Sequence, residues 1–154
     1  MASLGPHTKV ELSWGAVVII ALLGFFSVNK LGLHGGVVST VFIAASLLLH
    51  EVAHLLAAVG CGVKVKAIGM SIKGAYLRRS DSCDPGTEVV IAVCGPLTNL
   101  LLFTIFRGAG PVLDWVADLN LVLVLANLVP FRGSDGHRIL VSLGRLIRPH
   151  LGFD

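Results

Sequence analysis

Long apolar runs broken by short polar stretches set the pattern of this chain. The first run covers residues 12–28 and stops before Lys30. The second covers 36–59; its uncharged first half is interrupted by His50, Glu51 and His54. The third covers 89–106, between Glu88 and Arg107. A weaker fourth covers 111–131 and carries Asp114, Asp118, Asn120 and Asn127. Runs of roughly 17–25 apolar residues are what a helix needs to cross a bilayer. The pattern predicts an α-helical multi-pass membrane protein with about four transmembrane helices, as a single domain over 1–154.

Between the second and third runs the period changes. Val63, Val65 and Ala67 alternate with Lys64 and Lys66, and a second alternating piece runs from about Met70 to Leu77. Period-two alternation predicts short strands, with turns or bulges permitted at Gly69 and Gly74. Residues 80–86 read as a loop. After the fourth run, Ile139, Leu140, Leu143, Leu146 and Ile147 share one helical face, which predicts an amphipathic helix over about 137–148.

Composition agrees with the runs. The chain is 55% hydrophobic and 14% charged, with mean hydropathy +0.86, against about 25% charged in ordinary soluble domains. Cys61, Cys83 and Cys94 are odd in number and lack C-x-x-C spacing, so no disulfide framework is expected. No cleaved signal peptide is expected from the N-terminal residues either. The net charge of +3 reflects loop placement and gives no reason to expect a nucleic-acid partner. Four spans would put Lys9, Lys64, Lys66, Lys73, Arg78, Arg79, Arg132, Arg138, Arg145 and Arg148 on one side, and Lys30 and Arg107 on the other. That bias predicts cytosolic termini.

The chemistry is concentrated in His50-Glu51-x-x-His54. On a helix, residues four apart share a face, so the two imidazoles can hold one zinc ion. Glu51 can take a proton from metal-bound water and pass it to a leaving amine. The competing reading is a pair of interfacial histidines at a helix end with a glutamate facing water. Ionisable groups inside an apolar run are expensive and usually functional. A catalytic zinc usually has three protein ligands. Asp135 is the best third donor; on spacing alone it could equally cap the helix that begins near Gly136.

With these motifs in view, the chain resembles the site-2 protease family of intramembrane metalloproteases. The resemblance rests on His50-Glu51-x-x-His54 inside an apolar run, on Gly95-Pro96-Leu97-Thr98-Asn99 in the next run, and on Asn127-x-x-Pro130 followed by Asp135-Gly136. The short polar stretch between the second and third runs adds to it. The resemblance implies a small membrane-associated β region between the second and third spans. It also implies one Zn2+ held by His50, His54 and Asp135, with Glu51 as general base and acid. Asn127 would hold substrate or stabilise the oxyanion, and Gly95 and Asn99 would pack near the site or help bind substrate. Arg132, Gly133 and Ser134 depart from the family pattern before Asp-Gly, and His137 is a minor competing ligand. A minimal form without a PDZ or regulatory domain is expected.

In the four-span topology all three motifs fall at one depth, nearer the cytosolic face of a cell membrane, and the organism reads as bacterial. The expected partners are the lipid bilayer and a membrane protein with a transmembrane segment. An unwound substrate could pair with an edge strand of the 63–77 region, so proline at Val65 or Ile72 is expected to impair turnover. The alternatives are a catalytically silent zinc-binding homologue acting as a regulatory partner and, behind it, a metal transporter.

Overall fold

In lipid every backbone polar group must be paired inside the chain, which leaves helices as the economical way to place long apolar runs. The computed structural model describes residues 9–12, 14–63, 65–71, 74–79 and 83–147, with side chains from 17–63 and 83–147. In chain order these form β1 (Lys9–Leu12), α1 (Trp14–Gly60), β2 (Val65–Ser71), β3 (Gly74–Arg79), α2 (Pro85–Phe106), α3 (Pro111–Leu128) and α4 (Asp135–Ile147). Lys64, Ile72, Lys73 and Arg148, named in the sequence expectations, and residues 80–82 of the expected loop lie outside the described residues.

The first two runs form the two helical arms of α1, separated by a break at Gly32, where φ is 73° and ψ is 174°. A positive φ of this kind is open to glycine at little cost, and here it reverses the chain. A Cβ at Gly36 would lie 2.4 Å from the Cα of Val28, and one at Gly24 would lie 3.2 Å from Oγ1 of Thr40. Both pairs are symmetric about Gly32, so the two arms run antiparallel and touch. The contacts with α3 agree. Ser27 accepts a bond from Trp115 and Ser46 accepts one from Asn120. Ser27 and Ser46 would be about 28 Å apart on a straight helix, whereas Trp115 and Asn120 are separated by about 7.5 Å along α3.

Among the described residues three helices are long and apolar enough to cross a membrane: α1 from Val17, α2 and α3. The chain is therefore an α-helical protein with three such elements, the first bent double, and a fourth, shorter helix. Beside Ile43, Ile91 and Val116, much of what is buried is small or polar. Ser27, Ser39, Asn99 and Asn120 are fully buried, while Phe25, Phe26, Leu33, Val41 and Leu56 are each 60–74% exposed. Lipid tails are as apolar as leucine, so small and polar residues make the helix contacts and large apolar residues face outward.

The strands form a three-stranded sheet of order β1-β2-β3, with β1 parallel and β2–β3 antiparallel. A register shift lies between Val65 and Ala67. β2 is the central strand, and Val65 pairs with Arg79 of β3, so proline there would disturb the sheet itself. Among the described residues, β3 rather than β2 carries the edge in the 65–79 region.

At the opposite end of the helices Arg107 pairs with Asp118, Asp114 accepts from the Gly108 amide, and Lys30 sits 4.1 Å above the Trp115 ring. These contacts account for the acids that weakened the fourth run: they pair with neighbours at a helix end.

Candidate metal centre

His50, Glu51 and His54 sit in the second arm of α1, within the last three turns before Gly60. One turn of helix separates the imidazoles, and their Nε2 atoms approach to 3.1 Å. Oδ2 of Asp135 lies 3.2 Å from each of them. All three residues are buried, and among the described residues they form the group able to share one metal ion. Glu51 is buried beside them, with Oε1 3.8 Å from Nε2 of His50.

This triangle of donors fits zinc. Tetrahedral coordination with bonds of about 2.0–2.1 Å sets neighbouring donors roughly 3.3–3.4 Å apart. The sides of 3.1, 3.2 and 3.2 Å come within about 0.3 Å of one tetrahedral face. Three protein donors leave a fourth position for water, which is the arrangement of catalytic zinc. Gly95 borders the same space. A Cβ there would fall 2.3 Å from Nε2 of His54 and 2.5 Å from Nε2 of His50, so any larger residue would enter the space between the donors and α2.

The other ring nitrogens fix the imidazoles. Nδ1 of His54 donates to the Ile91 carbonyl at 2.7 Å, and Nδ1 of His50 bonds Oδ1 of Asn99. Both rings thereby turn Nε2 to the donor triangle, as outer-shell partners do in metal sites.

Asp135 begins α4, and sequence spacing left open whether it binds a metal or caps the helix. The cap is Ser134. Its Oγ accepts from the His137 amide at 3.1 Å and lies 2.6 Å from the Val129 carbonyl, to which it can donate. Gly133, with φ 106°, supplies the turn before it. Close packing completes the delivery: a Cβ at Gly136 would lie 2.0 Å from the Leu128 carbonyl oxygen, so α4 starts hard against the end of α3. Burial alone would raise the Asp135 carboxyl. Hydrogen bonds from His50 and His54, with their charge, outweigh it and hold the group well below the usual carboxylate range. Arg138 reaches Oδ1 of Asp135 at 3.4 Å and donates to Glu88 at 2.8 Å.

Sequence reasoning brought His50, His54, Asp135, Glu51, Gly95 and Asn99 to this region, and the structure collects them there. The Asn127 amide donates to the Leu123 carbonyl of its own helix at 2.9 Å, away from the donor triangle. His137 is not in the metal group. Ser134, Arg138 and Glu88 were not singled out as site residues. The usable signal was a serine directly before the helix start.

Comparisons with known proteins agree with this geometry. Residues 38–110 match the model of peptidase family M50. A candidate zinc metalloprotease of Synechocystis sp. is 29% identical over 119 residues, covering 70% of this chain and 31% of the relative. The candidate zinc metalloprotease Rip3 of Mycobacterium tuberculosis is 29% identical over 167 residues, covering 92% of this chain and 41% of Rip3. The chain thus spans less than half the length of these relatives. The fold is similar to that of the site-2 protease from Methanocaldococcus jannaschii, with TM-score 0.70 and 24% identity over 93% of this chain and 69% of that one.

Proposed function

From the premise that the chain belongs with the site-2 proteases of peptidase family M50, we propose that it is an intramembrane zinc metalloprotease that hydrolyses peptide bonds within or near transmembrane segments of membrane proteins. The observation that carries the reading is the triangle of His50 Nε2, His54 Nε2 and Asp135 Oδ2, with sides of 3.1–3.2 Å and Glu51 beside it.

Bound by these three donors, zinc supplies a Lewis acid and water of lowered pKa. Glu51 takes a proton at a carboxylate oxygen as the water attacks the peptide carbonyl, and returns it to the departing amine. The Nδ1 bonds of His50 and His54 keep both rings turned with Nε2 toward the donor triangle. Asn127 is the penultimate residue of α3; rotating away from Leu123 would free its amide to donate to the substrate carbonyl.

The same reading takes each arm of α1 as a span, giving four with α2 and α3. The sheet β1-β2-β3 then lies at the membrane surface, on the side of the basic residues, and both termini are cytosolic. A locally unwound substrate would add to the free edge of β3.

The test is purified wild type against Glu51→Gln in detergent, with bound zinc and cleavage of a single-span substrate measured on both. Zinc in both and cleavage in wild type alone is the expected result. Zinc in both with no cleavage across a broad substrate set would overturn the protease reading in favour of a silent zinc-binding partner.

A further inference from the structure

The metal-site residues account for His50 and Asn99, but not for two fully buried polar side chains beyond them. Asn120 of α3 and Ser46 of α1 are 0% and 1% exposed. They continue a chain of hydrogen bonds that begins at His50. Nδ2 of Asn99 donates to Oδ1 of Asn120 at 2.8 Å. Nδ2 of Asn120 donates to Oγ of Ser46 at 3.1 Å and to the Val116 carbonyl at 2.9 Å. Oγ of Ser46 donates to the Phe42 carbonyl at 2.9 Å.

The direction of every bond in this chain is forced. A backbone carbonyl only accepts, so the Val116 oxygen requires the NH2 end of Asn120. The Phe42 oxygen takes the Ser46 proton and leaves Ser46 a lone pair, which again requires the NH2 end of Asn120. Oδ1 of Asn120 must then face Asn99, and Asn99 must answer with its NH2 end. Oδ1 of Asn99 is left facing Nδ1 of His50, and the two are compatible when that nitrogen carries a proton. The lone pair of His50 is thereby placed on Nε2, inside the donor triangle.

We propose that Asn120, backed by Ser46, is a positioning residue for the metal centre: acting through Asn99, it fixes the tautomer and ring orientation in which His50 presents Nε2 to the metal. His54 has no part in this relay, because its Nδ1 is held directly by the Ile91 carbonyl. Losing an outer-shell partner typically weakens metal affinity about 10- to 100-fold. In a low-dielectric interior, an amide free to flip removes the preference for one tautomer.

The inference rests on the metal-site reading and is tested with zinc alone. Metal-free protein in detergent is titrated with zinc against a chromophoric chelator, for wild type, Asn120→Leu, Asn99→Ala, the double variant and Ser46→Ala. Histidines are 15N-labelled so that each zinc-loaded ring reports its own tautomer. Asn120→Leu is expected to weaken zinc about 10- to 100-fold. The double variant is expected to be no weaker than Asn99→Ala, and Ser46→Ala to lose about 2- to 10-fold. The His50 Nδ1 signal is expected to change in Asn120→Leu while that of His54 stays fixed. Affinity within twofold of wild type in both Asn120→Leu and Ser46→Ala would overturn the relay alone. So would additive losses, or equal changes at the two histidines, which mark general loosening of the fold. Wild type that binds no zinc would overturn the metal-site reading and the relay with it.

Discussion

Nε2 of His50 stands 3.1 Å from Nε2 of His54, closer than two imidazoles have reason to come unless both are aimed at a common partner. The helix supplies the spacing and two different neighbours supply the aim: an asparagine on one ring and a backbone carbonyl on the other. Asp135, 81 residues after His54, closes the triangle.

Each donor should therefore be needed. His50→Ala, His54→Ala and Asp135→Ala should each weaken zinc by more than the roughly 10- to 100-fold typical of an outer-shell change. Zinc per chain after dialysis against a weak chelator measures it. Wild-type stoichiometry in any of the three would remove that residue from the ligand set.

Gly95 should tolerate no side chain. A methyl group there would sit 2.3 and 2.5 Å from the two Nε2 atoms, so either the rings turn away or α2 shifts. Gly95→Ala should lose zinc binding and cleavage while keeping its helical circular dichroism. Gly144 is the matched control in α4: a Cβ there meets nothing within 4 Å. Gly144→Ala should be neutral or stabilising by about 0.5–1 kcal/mol. Zinc binding by Gly95→Ala at wild-type affinity would contradict the geometry.

The parts of this site that were legible in the sequence were those carried by local spacing. His50 and His54 are one helical turn apart, and no tertiary information is needed to put them on one face. The amphipathic helix and the alternating strands were equally local: the expected 137–148 became Asp135–Ile147, and the alternation became β2 and β3. Gly32 was harder. Lys30 marked the gap between the two apolar runs, but only the backbone shows that the break falls on Gly32, with helix to either side. β1 pairs with a strand more than 50 residues away, and four residues beside a longer apolar run carry too little pattern to be read. The cap on α4 was ambiguous because serine and aspartate stand side by side, and both residue types cap helices. Asn120 looked like a flaw in a weak span. Its role depends on Asn99 and Ser46 arriving from other helices.

Acid should remove the contribution of Asp135. The folded carboxyl is held below its ordinary value by the two histidines, so its stabilising contribution is complete above the unfolded value of about 3.9 and declines as pH falls through and below it. Metal-free wild type should lose thermal stability as pH falls below about 4, and Asp135→Asn should flatten part of that decline. Zinc affinity should begin to fall at higher pH than that, because ligating imidazoles must be neutral. Parallel pH profiles for wild type and Asp135→Asn in the metal-free state would show that Asp135 is not the group responsible.

Ser134 separates capping from ligation. Its hydroxyl accepts from the His137 amide and occupies the cap position, which leaves both Asp135 oxygens for the histidines and Arg138. In Ser134→Ala the first turn of α4 loses its side-chain acceptor, at a cost of about 0.5–2 kcal/mol. The adjacent carboxylate is then the nearest group able to replace it. Turned toward the free amides, Asp135 would leave the donor triangle. Ser134→Ala should thus lower zinc affinity as well as the melting temperature of the metal-free protein. Ser134→Asp, which restores an acceptor at the cap, should recover most of both. A melting temperature that falls while zinc affinity stays at the wild-type value would mean that Asp135 is held by Arg138 and the histidines alone, with no help from the cap.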